Sequence, residues 1–171
     1  TAIEVKNYTD SMEKSKSGGY KTVEKTSTQS STQVGSTLNV GGNLTAKAGN
    51  DIRLEASTAN VGGNADLDAG RDIVITALGE TSHTTHSTST ESWNTSSSEV
   101  TTIDQTTGKA AGLNVGGNLG VKSGGNTQII GSDVTVGGDL DVKGIGGNLE
   151  VTTFEATTNV VTQIKHRAGV G

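Results

Sequence analysis

Asp51 and Glu55, followed by Asp66, Asp68 and Asp72, bring five carboxylates into one short stretch of the chain. Paired carboxylates cleave glycosidic bonds when a groove raises the pKa of one, which then donates a proton while the other stays ionised. If the stretch folds into stacked extended segments, the five make an outward acidic patch, and a carbohydrate-active enzyme is one reading of it. No aromatic platform for a sugar stands beside them, which weakens that reading. His83 and His86, with Glu80 close by, form the second group. Three residues apart, two histidines share a face on a helix but point to opposite sides of a strand. Zinc needs three or four convergent ligands, so neither this group nor the isolated His166 is expected to hold a metal. Calcium-binding β-helices carry tandem glycine and aspartate motifs at nonapeptide spacing, whereas the glycine pairs here, Gly41-Gly42 and then Gly62-Gly63, recur at more than twice that spacing. No catalytic residue, metal ligand or cofactor follows from these groups. The absence of Cys removes thiolate chemistry and any disulfide scaffold.

The elements that must position these residues are written in a repeat. STLNVGGNLTAKAGNDIRLEA at 36–56 is followed directly by STANVGGNADLDAGRDIVITA at 57–77, identical at 12 of 21 positions without a gap. Each unit holds alternating apolar pairs: Leu38 and Val40, Leu44 and Ala46, Ile52 and Leu54, then Ala59 and Val61, Ala65 and Leu67, Ile73 and Ile75. Two-residue spacing marks strands with one buried face. Gly41 and Gly42, then Gly49 and Asn50, fall between the pairs, and such residues tolerate the positive φ of tight turns. Three short strands and their corners make one coil of roughly 21 residues, and stacked coils make a parallel β-helix with backbone hydrogen bonds running between coils.

A longer period of roughly 75 residues encloses the first, and self-similarity at a fixed period marks a repeat architecture. Leu113 to Leu119 copies Leu38 to Leu44, and Val134, Val136, Leu140 and Val142 supply a further coil. The corner after Gly144 is expected to carry one extra residue before Gly147. Gly-Gly-Asn at 41–43, 62–64, 116–118 and 146–148, with Gly-Gly-Asp at 137–139, is expected to set an amide or carboxylate at the same corner of successive coils. Stacked Asn side chains hydrogen-bond along such a ladder and to the turn backbone.

Coil pairs at 35–77 and 111–153 alternate with polar stretches at 1–34 and 78–110, and residues 154–171 begin a third. Thr-rich alternation such as TTHSTST, with turn signals at Ser17-Gly18-Gly19 and Trp93-Asn94, predicts β-hairpin excursions outside the coils. Trp93, Tyr8 and Tyr20 are read as covering seams where hairpins meet the stack. Asn7-Tyr8-Thr9, Asn43-Leu44-Thr45 and Asn94-Thr95-Ser96 match the N-glycosylation pattern, but Ser and Thr number 44, so such matches arise readily by chance.

Composition bounds the function. Gly numbers 25, Pro is absent, and there are only two Tyr, one Trp and one Phe, so the core must be a thin one of Val, Leu, Ile and Ala. Against 18 acidic residues stand 13 basic ones, with no basic cluster interleaved with aromatics, so a nucleic-acid partner is not expected. No stretch has the length and apolarity of a membrane span, and no signal peptide opens the chain. Beginning with Thr, it reads as an internal segment of a longer protein.

STLNVGGNLTAKAGNDIRLEAS, then ANVGGNADLDAGRDIVITA and IIGSDVTVGGDLDVKGIGGNLEV, resembles the hemagglutinin repeats of filamentous hemagglutinin and related large exoproteins. These include contact-dependent growth inhibition effectors, whose second hemagglutinin region the polar segments resemble. The resemblance implies a right-handed β-helical filament on the surface of a Gram-negative bacterium, secreted through a dedicated outer-membrane transporter. It implies adhesion, or delivery of a toxin to neighbouring bacteria, with a target-cell surface or outer membrane and neighbouring repeats of the same chain as partners. No catalytic residue comes with the repeat, so the chain is not expected to be an enzyme.

Overall fold

The computed structural model describes residues 2–168, all of whose regular elements are β-strands. Their order is β1 (Ile3–Ser17), β2 (Tyr20–Val34), β3 (Thr37–Val40), β4 (Leu44–Ala48), β5 (Ile52–Glu55), β6 (Thr58–Val61), β7 (Ala65–Ala69) and β8 (Ile73–Thr76). There follow β9 (Leu78–Glu91), β10 (Thr95–Lys109), β11 (Gly112–Val115), β12 (Leu119–Ser123), β13 (Thr127–Ile130), β14 (Asp133–Val136), β15 (Leu140–Ile145), β16 (Leu149–Thr152) and β17 (Thr157–Ala168). Residues 169–171, the end of the third expected excursion, lie outside the described residues, as does residue 1. The chain forms two compact units, one built around Gln33–Gly79 and Gly108–Glu155, the other around Val5–Thr32, Glu80–Thr107 and β17.

In the first unit the short strands form three parallel four-stranded sheets, ordered β14-β11-β6-β3, β15-β12-β7-β4 and β16-β13-β8-β5. Every circuit of the chain gives one strand to each sheet, which is the connectivity of a parallel β-solenoid. Asn39 pairs with Asn60, 21 residues on, and Asn60 with Asn114, 54 residues on across an intervening hairpin. Alternation then stacks like on like. Leu38, Ala59, Leu113 and Val134 form one inward column, and Leu44, Ala65, Leu119 and Leu140 another. The core sits in the two middle coils: Ile73 and Leu119 are each 1% exposed. Burying one such side chain contributes about 1.5–3 kcal/mol. The outer coils are open, with Leu38 at 50% and Val151 at 68% exposed. Ser123 and Thr127 enter the interior as a polar pair, their hydroxyls 3.0 Å apart, and the Ser123 hydroxyl donates to the Gly125 carbonyl at 3.1 Å.

Two expectations about the corners are corrected. The glycines of the Gly-Gly corners do not use positive φ; in the solenoid it falls at the corner that leads from one coil to the next, at Gly131 (φ 54°) and Ala56 (φ 43°). The requirement at the Gly-Gly corners is stacking: a Cβ on Gly62 would lie 2.6 Å from the Gly41 carbonyl oxygen, and one on Gly116 would lie 2.5 Å from that of Gly62. Corner backbones lie directly on one another, and only hydrogen fits between them. The extra residue is also not in the corner after Gly144. Val121 pairs with Val142 but Lys122 with Gly144, so Lys143 bulges out within β15. A bulge absorbs the insertion and re-aims one side chain while the inward residues on either side keep their columns.

The second unit is one antiparallel sheet in the order β1-β2-β9-β10-β17. Its hairpins therefore join edge to edge instead of standing as separate two-stranded arms. Gly18 and Gly19, at φ 58° and 82°, form the first turn, the double left-handed geometry that matches hairpin twist. The second turn, Trp93-Asn94, lacks positive φ. It is closed by the Ser92 amide donating to the Thr95 carbonyl and by the two hydroxyls at 2.9 Å.

Candidate functional site

Hydrogen-bonded corner ladders are the most regular polar feature of the solenoid. Asn43 Oδ1 accepts the Asn64 amide, Asn64 Oδ1 the Asn118 amide and Asn118 Oδ1 the Asp139 amide, each at 2.9 Å. A second corner repeats the device: Asp51 Oδ1 accepts the Asp72 amide at 3.4 Å, Asp72 Oδ1 the Asn126 amide at 2.7 Å, and Asn126 Oδ1 the Asn148 amide at 2.9 Å. The Gly-Gly-Asn at 146–148 thus belongs to this second corner and not to the one it shares in sequence with 41–43. The pairings that place it there run through Gly124-Gly125-Asn126, which carries the same signature in the sequence. Amide side chains bond to each other at a third place, in mid-strand, where Asn114 donates to Asn60 and Asn60 to Asn39, both at 2.8 Å.

The five carboxylates do not form an uncompensated acidic patch. The Arg71 guanidinium grips Asp51 with two bonds, at 3.0 and 2.9 Å. This holds the Asp51 carboxyl below the usual carboxylate range. Arg53 bonds Glu55 at 2.9 Å, Lys122 lies 3.5 Å from Asp68, and Asp72 accepts the backbone bond already described. Asp66 receives the bulged Lys143 at 2.6 Å. That contact raises the Lys143 ammonium above its ordinary value. Lys143 reaches Asp66 across Gly120, whose column is Asp66, Gly120, Asp141. A general acid requires a carboxyl held protonated by its surroundings. The cations do the reverse at Asp51, and Glu55, Asp66 and Asp68 also face cations.

In the five-stranded sheet His83 and His86 take different neighbours. His83 Nδ1 meets Asp104 of β10, while His86 Nδ1 lies 3.0 Å from the Thr26 hydroxyl of β2. Among the described residues no cluster of three or more His, Cys, Asp or Glu converges as metal ligands would. His166 stands opposite Ser97.

The aromatics depart from expectation. Trp93 is 91% exposed at the tip of its hairpin, so it covers no seam. Tyr8 and Tyr20 are 67% and 54% exposed, and the Tyr8 hydroxyl donates to Asp10 at 2.6 Å within its own strand. Around Trp93 lies a shallow concavity of about 340 Å³ that also involves Glu91, Asn94, Ser96 and Arg167. Sequence reasoning missed this grouping because Arg167 reaches Ser96 only through the pairing of β10 with β17.

Comparison with known families gives one match: a model described as the hemagglutinin repeat covers residues 16–98 and again 92–170. No curated protein and no solved structure matches the chain.

Proposed function

The chain belongs to the hemagglutinin repeat family, and on that premise we propose that it is a non-enzymatic repeat segment of a surface-displayed exoprotein of a Gram-negative bacterium. In this reading the parent crosses the outer membrane through a dedicated transporter and acts in adhesion or in delivery of a toxin to neighbouring bacteria. The solenoid winds right-handed in coils of roughly 21 residues, each coil one repeat unit of the stack. Coil pairs at 35–77 and 111–153 alternate with hairpins at 1–34 and 78–110, and with a third hairpin beginning at 154.

The observation that carries the reading is the unfinished pair of solenoid ends. Leu38 on one outer coil and Leu140, Leu149 and Val151 on the other are 50–68% exposed, although their columns are buried in the middle coils, with Ile129 of the Val151 column partly so. Neighbouring repeats of the same chain, in the same register, would cover both ends and their unpaired strand edges. Because each coil contacts only its neighbours, such a chain folds progressively as it emerges from a pore. Four of the five carboxylates face cations and Asp72 accepts a backbone amide, which supplies no support for the alternative of a carbohydrate-cleaving enzyme.

The test deletes residues 1–171 from the intact parent in its own bacterium and counts killed target cells in co-culture at matched surface display. Lost killing with attachment retained assigns the segment to toxin delivery, and lost attachment assigns it to adhesion. Unchanged killing and attachment would overturn both roles and leave a spacer.

A further inference from the structure

Several charged side chains of the solenoid pair with one another, Asp51 with Arg71 and Asp66 with Lys143 among them, but those at the tip of the β9–β10 hairpin do not. Lys21 is the cross-strand partner of Glu91, and Ser96 that of Arg167. The Ser92–Thr95 bond that closes the turn sets Glu91 opposite Ser96. Cross-strand partners share a face, so Lys21, Glu91, Ser96 and Arg167 form one polar row across four strands. Among the described residues Lys21, Glu91 and Arg167 make no ion pair. Beside this row stands Trp93, the only Trp in the chain, with Asn94 next to it. Exposing nine-tenths of the largest apolar side chain is unfavourable unless something stacks on it.

We propose that this tip binds a neutral pyranose unit of a surface glycan, its ring stacked on Trp93 and its hydroxyls held by Glu91, Asn94 and Arg167. The chemistry selects that ligand class. One face of a pyranose presents polarised C–H bonds, which suit the electron-rich face of an indole, while its rim presents hydroxyls that both donate and accept. Glu91 accepts, Arg167 donates and Asn94 does both, and a few placed polar groups around an apolar platform fix a ligand's orientation. A hydrocarbon surface would leave these groups unpaired, and a bare anion offers no hydroxyl for Glu91 to accept from. A protein hot spot buries its aromatic within an apolar surround, whereas every neighbour here is polar or charged: Glu91, Ser92, Asn94, Thr95, Ser96 and Arg167. The first hairpin turns on Gly18-Gly19 with Tyr20 as the nearest ring, so the indole platform occurs once per chain.

The inference deepens the adhesive side of the proposed function and rests on it only for access to glycans. Titration of the isolated 171-residue chain tests the site whether or not adhesion is the parent's role. Fluorescence from the single Trp reports on the site directly. The probes are methyl β-galactopyranoside, methyl β-glucopyranoside, methyl α-mannopyranoside and N-acetylglucosamine. Vesicles of phosphatidylcholine or of phosphatidylglycerol serve as the lipid comparison.

A saturable change with one or more sugars is expected, with a Kd on the order of a millimolar. Arg167→Ala should weaken it about 10-fold by removing a charged hydrogen bond. Trp93→Ala should abolish the saturation-transfer NMR signal of the same sugar while leaving the circular dichroism melt unchanged, because Trp93 is 91% exposed. The proposal is overturned by no saturable change with any sugar, by a response to vesicles alone, or by sugar signals that persist in Trp93→Ala.

Discussion

The two units of this chain hold β-strands together in different ways. Every buried hydrophobic residue among the described ones lies in the solenoid, whereas in the five-stranded sheet the only buried residue is Ser31. The solenoid therefore follows the ordinary rule that strands are fixed by an apolar interior. The sheet has no interior, and its strands are joined by backbone bonds and hydroxyl ladders. Thr22 faces Thr90, Thr28 faces Thr84 and Thr101 faces Thr162, at 3.4, 3.4 and 3.3 Å. Cross-strand pairs of this kind contribute roughly 0.2–1 kcal/mol each. A long sheet can be built from them, but no single residue in it is expected to matter much.

The sharpest way to break this comparison is to put one charge into each unit. Leu119→Asp buries a carboxylate at a site 1% exposed and should abolish the cooperative urea transition followed by circular dichroism, since an unpaired buried charge costs several kcal/mol. Ile103→Asp, at a site 38% exposed in the sheet, should shift that transition by no more than about 0.5 kcal/mol. Val40→Asp falls between, because Val40 is only partly buried in an outer coil. Equal losses from Leu119→Asp and Ile103→Asp would show that the sheet has a core after all.

Corner glycines sharpen the account within the solenoid. Gly62→Ala pushes a methyl against the Gly41 carbonyl and should cost about 1–3 kcal/mol, as overpacking does. Gly41→Ala meets nothing within 4 Å and should be neutral within about 0.5 kcal/mol. The two residues occupy equivalent positions in consecutive repeats, so propensity alone predicts equal effects. Equal melting temperatures for the two variants would refute the stacking explanation.

That asymmetry also shows what the sequence could and could not convey. The strands of the solenoid and their inward faces were legible because burial on one side imposes alternation, and the short repeat makes the alternation visible several times. The meaning of the corner glycines was not legible, because positive φ and close backbone stacking both select glycine. The insertion was traceable to the last coil but not to Lys143, since a bulge and a longer corner leave the same count of residues. The joining of the hairpins into one sheet had no apolar signature, as both faces are Thr- and Ser-rich. The tip grouping of Trp93 with Arg167 depends on register between strands far apart in the chain, and no local pattern encodes it.

Hydroxyl ladders give a smaller test in the sheet. Thr28→Val keeps the branched shape and removes one 3.4 Å contact to Thr84. Urea denaturation should show a loss of a few tenths of a kcal/mol. A loss above about 1 kcal/mol would mean that the ladder, and not the backbone pairing, organises the sheet.

The smallest expected effect concerns pH and returns to the solenoid's charges. Arg71 lowers the Asp51 pKa from an ordinary 3.8. A carboxylate whose pKa is depressed on folding adds stability above its unfolded value, and that stability is lost as pH falls through the folded one. Lys143, raised above an ordinary 10.5 by Asp66, contributes below that value and loses its contribution as pH rises through the higher folded one. The two pairs leave a flat plateau between, with losses only at its acid and alkaline edges. Asp51→Asn should therefore soften the acid edge of a melting-temperature profile and leave the alkaline edge in place, while Lys143→Met does the opposite. Both changes should be slight, because exposed ion pairs are screened by solvent and salt. If Asp51→Asn instead left the whole profile unchanged, the oxygen that Asn keeps for the Asp72 amide would be the main role of this side chain, and the corner ladder would outrank the ion pair.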